Sequence, residues 1–233
     1  MREIIAIIPA RGGSKRIPRK NIKDFFGKPM ISYAINACKD AGIFSKIMVS
    51  TDSEEIAAVA KLFGADVPFF RSQETSSDFA TTSDVLCEVI TNYKTLGLDF
   101  EFVCCVYPCV PFLTGASLKD AFEEFISTNV NGLHPVCKYP APPEWSMKIV
   151  DGVLIPNNPE LLNIRSQDLV PQYFDAGMFY FLKTAALLDQ MTLVPVTTKG
   201  YIMNEKDVQD IDTLEDWESA ELKYKILRSR ENG

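Results

Sequence analysis

Apolar positions along the chain follow two alternating periods. Residues 4–8 form an unbroken apolar run, which predicts a strand buried on both faces of a parallel sheet. From Pro29 onward the period lengthens. Met30, Tyr33, Ala34, Ala37 and Cys38 recur at helical spacing behind a proline that suits a first helical turn. Residues 46–50 predict a second strand, and Asp52-Ser53-Glu54-Glu55 the start of a second helix, with Asp52 and Glu55 at capping-box spacing and Gly64 at its end. A helix over about 83–96, an apolar strand over 102–107 and a helix over about 116–127 continue the series. This alternation predicts an α/β sandwich whose ligand site lies beyond the carboxyl ends of its strands.

The pattern then changes. Six of the 14 prolines fall between Lys138 and Pro171, and strand-like pieces at 145–150 and 153–155 flank Asp151-Gly152, a strong hairpin signal. A Pro-rich hairpin inserted in an α/β domain suits a lid, a substrate-binding arm or a subunit contact. Regular structure resumes at 178–182, and a final helix over about 213–227 begins with Thr213 and Asp216 at capping-box spacing. There is no internal repeat and no low-complexity tract, so residues 1–233 are expected to form a single domain with an insertion at about 138–175.

Composition narrows the classes. With 46% hydrophobic and 24% charged residues the chain is not of the disordered kind, and no apolar run approaches the ~20 residues that cross a bilayer. The first apolar stretch is too short for a signal peptide, which predicts a cytoplasmic protein. Six cysteines, at 38, 87, 104, 105, 109 and 137, form no C-x-x-C pair and read as reduced thiols. Cys104 and Cys105 are adjacent on a predicted strand, so they point to opposite faces and are poorly placed to share a metal. The formal net charge is −7, but residues 11–28 alone carry Arg11, Lys15, Arg16, Arg19, Lys20, Lys23 and Lys28 against Asp24, a local +6 that leaves −13 for the rest. A cationic loop on an acidic body fits a compact anionic ligand and argues against nucleic acid.

That loop is also where chemistry is expected. Ala10-Arg11-Gly12-Gly13-Ser14-Lys15 through Lys20-Asn21 follows the first strand directly. Paired glycines allow close backbone approach to a ligand, and the basic side chains supply charge for a polyphosphate. The spacing is neither G-x-x-x-x-G-K-[ST] nor G-x-G-x-x-G, and Asp52 lies about forty residues beyond the glycines, twice the separation of the dinucleotide fingerprint, so a dehydrogenase is disfavoured.

Taken with Gly27-Lys28-Pro29-Met30-Ile31, Ser50-Thr51-Asp52, the segment from Arg71 to Thr82, and Asp210-Ile211-Asp212-Thr213, in that order, the loop resembles the cytidylyltransferases that activate nine- and eight-carbon keto sugar acids. The resemblance implies a Rossmann-like three-layer α/β/α fold of the nucleotide-diphospho-sugar transferase type. It also implies attack of a sugar anomeric hydroxyl on the α-phosphorus of CTP, releasing pyrophosphate. By the same resemblance Ala10, Arg11, Gly12, Gly13, Ser14, Lys15, Lys20, Asn21, Arg71 and Thr82 bind the nucleotide, with Arg11, Lys15 and Lys20 catalytic. Arg16 and Arg19 read as loop charges. Residues i and i+2 of an extended segment face one side, so Asp210 and Asp212 can share a Mg²⁺, although Asp-Ile-Asp-Thr on its own reads first as a helix entry. The family likeness turns that reading toward metal.

For the sugar, the resemblance points to Lys148 and Arg165 in or just after the hairpin. Tyr107 and Asp175 stand where the sialic acid enzymes carry other residues, which changes the hydrogen-bonding groups offered to the substrate. These departures resemble the branch that handles pseudaminic acid; synthesis of CMP-sialic or CMP-legionaminic acid is the alternative within the family, and a non-catalytic nucleotide-binding module the alternative outside it. His134, the only histidine, reads as structural. Trp145 and Tyr139 in the arm read equally as sugar-stacking or partner-facing, and the family implies a homodimer.

Overall fold

The computed structural model describes residues 3–231. The first half contains β1 (Ile4–Pro9), a short hairpin of β2 (Asp24–Phe25) and β3 (Lys28–Pro29), α1 (Ile31–Ala41), β4 (Lys46–Ser50), α2 (Glu54–Leu62), α3 (Gln73–Ser76), α4 (Thr82–Thr95), β5 (Phe102–Val106) and α5 (Gly115–Ser127). The second half contains β6 (Gly132–Lys138), β7 (Met147–Val150), β8 (Val153–Pro156), β9 (Tyr173–Asp175), β10 (Phe179–Lys183), α6 (Thr184–Gln190), β11 (Thr198–Ile202) and α7 (Leu214–Glu231). The central sheet runs in the order β4-β1-β5-β10-β6-β11, with β9 paired to β6. Pairs β1–β4, β1–β5 and β6–β11 are parallel, and β10 is antiparallel to both its neighbours.

Strand side chains alternate between two cores, which makes three layers. Ile4, Ala6 and Ile8 of β1 with Phe102, Cys104 and Val106 of β5 face one core, shared with α1, α2, α5 and α7. Ile5, Ile7, Val103 and Cys105 face the other, under α4 and α6. Cys104 and Cys105 therefore do lie on opposite faces, both fully buried. α5 packs tightly on the end of α1 at Gly115, where a Cβ would sit 2.6 Å from the Ala41 backbone nitrogen. Among the described residues no helix is long and apolar enough to cross a membrane.

Two features of the fold bear on the loop after β1. An aromatic cluster joins the β2–β3 hairpin to α7: Phe25 meets Tyr33, Trp217 and Tyr224 edge to face at ring separations of 5.6, 5.5 and 5.2 Å. This packing fixes the entry of α7, and with it residues 210–213, against the basic loop. The second feature corrects a sequence expectation. The cap of α2 is Ser53, whose hydroxyl accepts from the Ile56 amide, and not Asp52. Asp52 is committed elsewhere.

Between β6 and β9 the chain leaves the central sheet. β7 and β8 form a separate two-stranded hairpin, turned at Asp151 and Gly152, both with positive φ (50° and 79°), as its Asp-Gly signal predicts. The expected final helix is capped as its sequence indicated, with Asp216 and Thr213 exchanging hydrogen bonds of 2.8 and 3.2 Å.

Candidate functional site

The loop after β1 is held from below by backbone and from the side by two polar residues. Ala10 continues the ladder to the Ser50 carbonyl at 2.9 Å. Beyond it, the Gly12 amide donates to Asp52 Oδ1 at 2.7 Å, and the buried Asn21 side chain donates to the Arg11 carbonyl at 3.0 Å. Gly12 is needed for closeness: a Cβ there would stand 3.2 Å from the Ser53 Cβ. Gly13 has open space around it. Of the paired glycine amides, then, the first is spoken for by Asp52.

The basic residues fan out from this loop in three directions. Arg11 and Lys15 converge on one carboxylate, Asp78, at 2.8 and 2.5 Å. These hydrogen bonds, Lys15 first, hold the Asp78 carboxyl below the usual range. Arg16 and Lys20 converge on Asp212 at 2.9 and 3.3 Å, and Lys20 also donates to the Ile211 carbonyl at 2.6 Å. Arg19 turns away to Glu55. The structure thus separates two residues that were read alike: Arg16 faces the aspartate segment, whereas Arg19 is a loop charge.

Two cavities share Arg11 and Pro9 as a common wall. One, of about 380 Å³, is lined by Arg11, Ser14, Lys15, Arg16, Ile17, Lys20, Asn21 and Asp212. The other, of about 220 Å³, is lined by Arg11, Arg71, Thr75, Asp78, Thr82 and Tyr107, among others. Arg71 is anchored to Ser50 by its guanidinium, at 2.8 Å to the carbonyl and 3.2 Å to the hydroxyl, and burial lowers its pKa. Both cavities open at the carboxyl end of β1, where an α/β sheet places its ligands.

Asp210 and Asp212 flank the buried Ile211, so both carboxylates stand on the side away from the core. Burial, then the neighbouring Asp212 charge, pushes the Asp210 carboxyl up. Two hard oxygen donors that repel each other are a donor set that a divalent cation relieves. Among the described residues no third His, Cys, Asp or Glu completes a protein cluster, so a cation here would take its remaining ligands from phosphate and water. Cys109 lies beneath, its thiol 3.5 Å from Asn21 Oδ1; burial pushes its pKa up to about 12, which keeps it protonated.

The residues expected to face a sugar divide. Tyr107 lines the smaller cavity beside Thr82. Its ring stands edge to face with Tyr180 at 5.3 Å, and Tyr180 donates to Asp175 at 2.9 and 3.0 Å. His134 also reaches Asp175, at 3.1 Å. Lys148, on β7, and Arg165, paired with Asp168 at 3.0 Å, line neither cavity. Within one chain the structure does not bring them to the basic loop. Four residues to which sequence reasoning gave no role at the site do reach it or its neighbours: Asp52, Asp78 and Arg16 at the loop, and His134 behind Asp175. Asp52 and Asp78 carried no spacing signal, since their partners lie 40 and more residues away.

The chain is similar to known proteins over most of its length. Residues 5–215 match the family model described as Cytidylyltransferase. A pseudaminic acid cytidylyltransferase of Campylobacter jejuni is 38% identical over 95% of this chain and 96% of its own. A CMP-N,N'-diacetyllegionaminic acid synthase of Legionella pneumophila is 31% identical over 94% of each chain. Among solved structures, a CMP:2-keto-3-deoxy-manno-octonic acid synthetase complexed with CTP superposes with a TM-score of 0.71 over 98% of this chain and 99% of its own, at 14% identity, a likeness of fold.

Proposed function

This chain belongs to the cytidylyltransferase family, and on that premise we propose that it transfers CMP from CTP to the anomeric hydroxyl of a nine-carbon keto sugar acid, pseudaminic acid, releasing pyrophosphate. The observation that carries the reading is the division of the basic loop between Asp78 and Asp212, with Arg11, Lys15, Arg16 and Lys20 all lining one cavity. Four cations aimed at a space of about 380 Å³ suit a triphosphate.

In this reading Arg11, Lys15 and Lys20 neutralise the α-phosphate and the leaving pyrophosphate, and Ser14, Asn21 and the backbone of residues 10–13 orient the nucleotide. Arg71 and Thr82 border the nucleotide from the second cavity. Asp210 and Asp212 hold Mg²⁺, which when bound supplies Lewis-acid charge to the phosphate oxygens. Tyr107 and Asp175 meet the sugar. Lys148 and Arg165 act on the site of a partner subunit, which accounts for their distance from the loop in one chain. Exposed apolar residues of the insertion favour a homodimer: Ile149, Val153 and Leu154 of the hairpin and Val170 beyond it are 73, 61, 59 and 79% exposed, side chains of the kind that a second copy covers. Six free thiols suit the reducing cytoplasm.

The test is pyrophosphate release with CTP and Mg²⁺ over a panel of sugar acids. Turnover is expected with pseudaminic acid above sialic and legionaminic acids. Preference for either of the latter overturns the substrate and keeps the reaction; no turnover with any overturns the reaction.

A further inference from the structure

We infer that His134 is a positioning residue for recognition of the sugar acid: it holds the Asp175 carboxylate in one orientation so that a single oxygen is presented to a hydrogen-bond donor of the substrate. The inference rests on the reading of Asp175 as a sugar-facing residue. Its observation is a set of donors that β6, the 175–177 turn and β10 bring to one carboxylate.

Three donors converge on Asp175 Oδ1: His134 Nε2 at 3.1 Å, the Gly177 amide at 2.8 Å and the Tyr180 hydroxyl at 3.0 Å. Only the Tyr180 hydroxyl, shared between the two oxygens, reaches Oδ2, at 2.9 Å. An ionised carboxylate has about four acceptor sites. Oδ1 is therefore filled while Oδ2 keeps a free one, and the side chain is 51% exposed. Burial alone would push the Asp175 carboxyl up. The hydrogen bonds from His134, Gly177 and Tyr180 outweigh it and hold the group below the usual range, so the residue stays ionised and is a poor base. It acts as a fixed acceptor.

The donors are themselves rigid. Gly177 adopts φ +64°, a left-handed conformation that suits glycine, and so turns its amide onto the carboxylate. Tyr180 is 1% exposed in the core, with the His134 ring packed edge to face on it at 4.7 Å. His134 Nε2 faces a carboxylate and must carry a proton there, while Nδ1 is buried without a hydrogen-bond partner. His134 thus donates one directed hydrogen bond to Asp175.

The Tyr107 ring, edge to face on Tyr180 at 5.3 Å, connects this cluster to the smaller cavity at the basic loop, which Tyr107 lines. A fixed anionic acceptor there repels a carboxylate and takes an O–H or amide N–H. The substrate's own carboxylate must point elsewhere, and its acylamino or hydroxyl group must meet Asp175.

The experiment compares wild type, His134→Phe and His134→Gln, each alone and in an Asp175→Ala background, by pyrophosphate release with CTP and the preferred sugar acid. Phe keeps the ring against Tyr180 and removes the donor; Gln restores a donor. The expected result is a sugar-acid KM raised about tenfold in His134→Phe. The CTP KM should stay within about twofold, Gln should recover most of the loss, and the Phe effect should vanish once Asp175 is Ala. An unchanged sugar-acid KM, or a His134 effect that survives intact without Asp175, overturns the inference. If the Phe variant does not fold, His134→Leu, which also removes the donor, makes the same comparison in both backgrounds. A wild type that turns over no sugar acid instead removes the parent reading of function, and the two failures are distinguishable.

Discussion

Replacing Lys20 by Met tests the coupling between the basic loop and the aspartate segment. The Lys20 ammonium donates to the Ile211 carbonyl at 2.6 Å and pairs with Asp212 at 3.3 Å, and its side chain is only 19% exposed. Met keeps most of the stem volume and removes the charge and both hydrogen bonds. A hydrogen bond to a charged partner contributes about 1.5–3 kcal/mol, and Asp212, at 37% exposure, is screened enough to favour the lower half of that range. About 2 kcal/mol corresponds to roughly a thirtyfold loss. In the proposed function the loss falls on kcat/KM for CTP, and any direct contact of Lys20 with the triphosphate adds to it. Lys20→Arg keeps the charge and should lie between. The assay is initial-rate pyrophosphate release with CTP varied, alongside thermal unfolding. A Lys20→Met enzyme that folds normally and loses less than about threefold refutes the reasoning.

Other consequences follow from single contacts. Asp78 neutralises Arg11 and Lys15 together, so a triphosphate has to displace it; Asp78→Asn should lower the CTP KM by about two- to fivefold, as expected of an exposed pair, and a raised KM contradicts that role. Gly115→Ala places a Cβ 2.6 Å from backbone atoms of α1 and should cost about 1–3 kcal/mol in urea denaturation, whereas an unchanged midpoint would mean that α1 and α5 part freely. Thr81 holds the Asp84 carboxyl below its usual range, first by its side-chain and then by its backbone hydrogen bond, at the start of α4. Ionised Asp84 therefore stabilises the fold fully above about pH 4 and progressively less as pH falls through its depressed value. The stability gap between wild type and Asp84→Ala should be full at pH 7 and close toward pH 2; a gap independent of pH rules this out.

How far the fold is legible depends on what sets each element. β1 announces itself because both its faces are buried, so every residue is apolar. α5 and the capping of α7 are local facts, carried by residues three or four apart. β6 is less readable because His134 and Pro135 interrupt it, yet the sheet accepts them: Pro135 pairs with Tyr201 and lends its carbonyl to Ala176. β11, with Lys199 and Gly200 on a sheet edge, has almost no apolar pattern to read. At the start of α2, Asp52 and Ser53 are both competent caps, and the choice is made by Gly12, some forty residues earlier, which takes Asp52 for itself. The same reason hides Asp78 from sequence reading. Its partners are set by how the 77–81 loop folds over β1, which no local spacing encodes. Charge clustering located the basic loop, but its division between two carboxylates is a tertiary fact.

The central claim is that the anomeric oxygen of a sugar acid attacks the α-phosphorus of CTP. It is tested most directly with pseudaminic acid labelled with ¹⁸O at the anomeric hydroxyl, incubated with CTP and Mg²⁺ and followed by mass spectrometry and ³¹P NMR. The predicted result is one pyrophosphate per CMP-sugar, with the label retained as the oxygen that bridges the sugar anomeric carbon and phosphorus. Pyrophosphate formed with free CMP and no CMP-sugar, or a CMP-sugar that has lost the label, would contradict it.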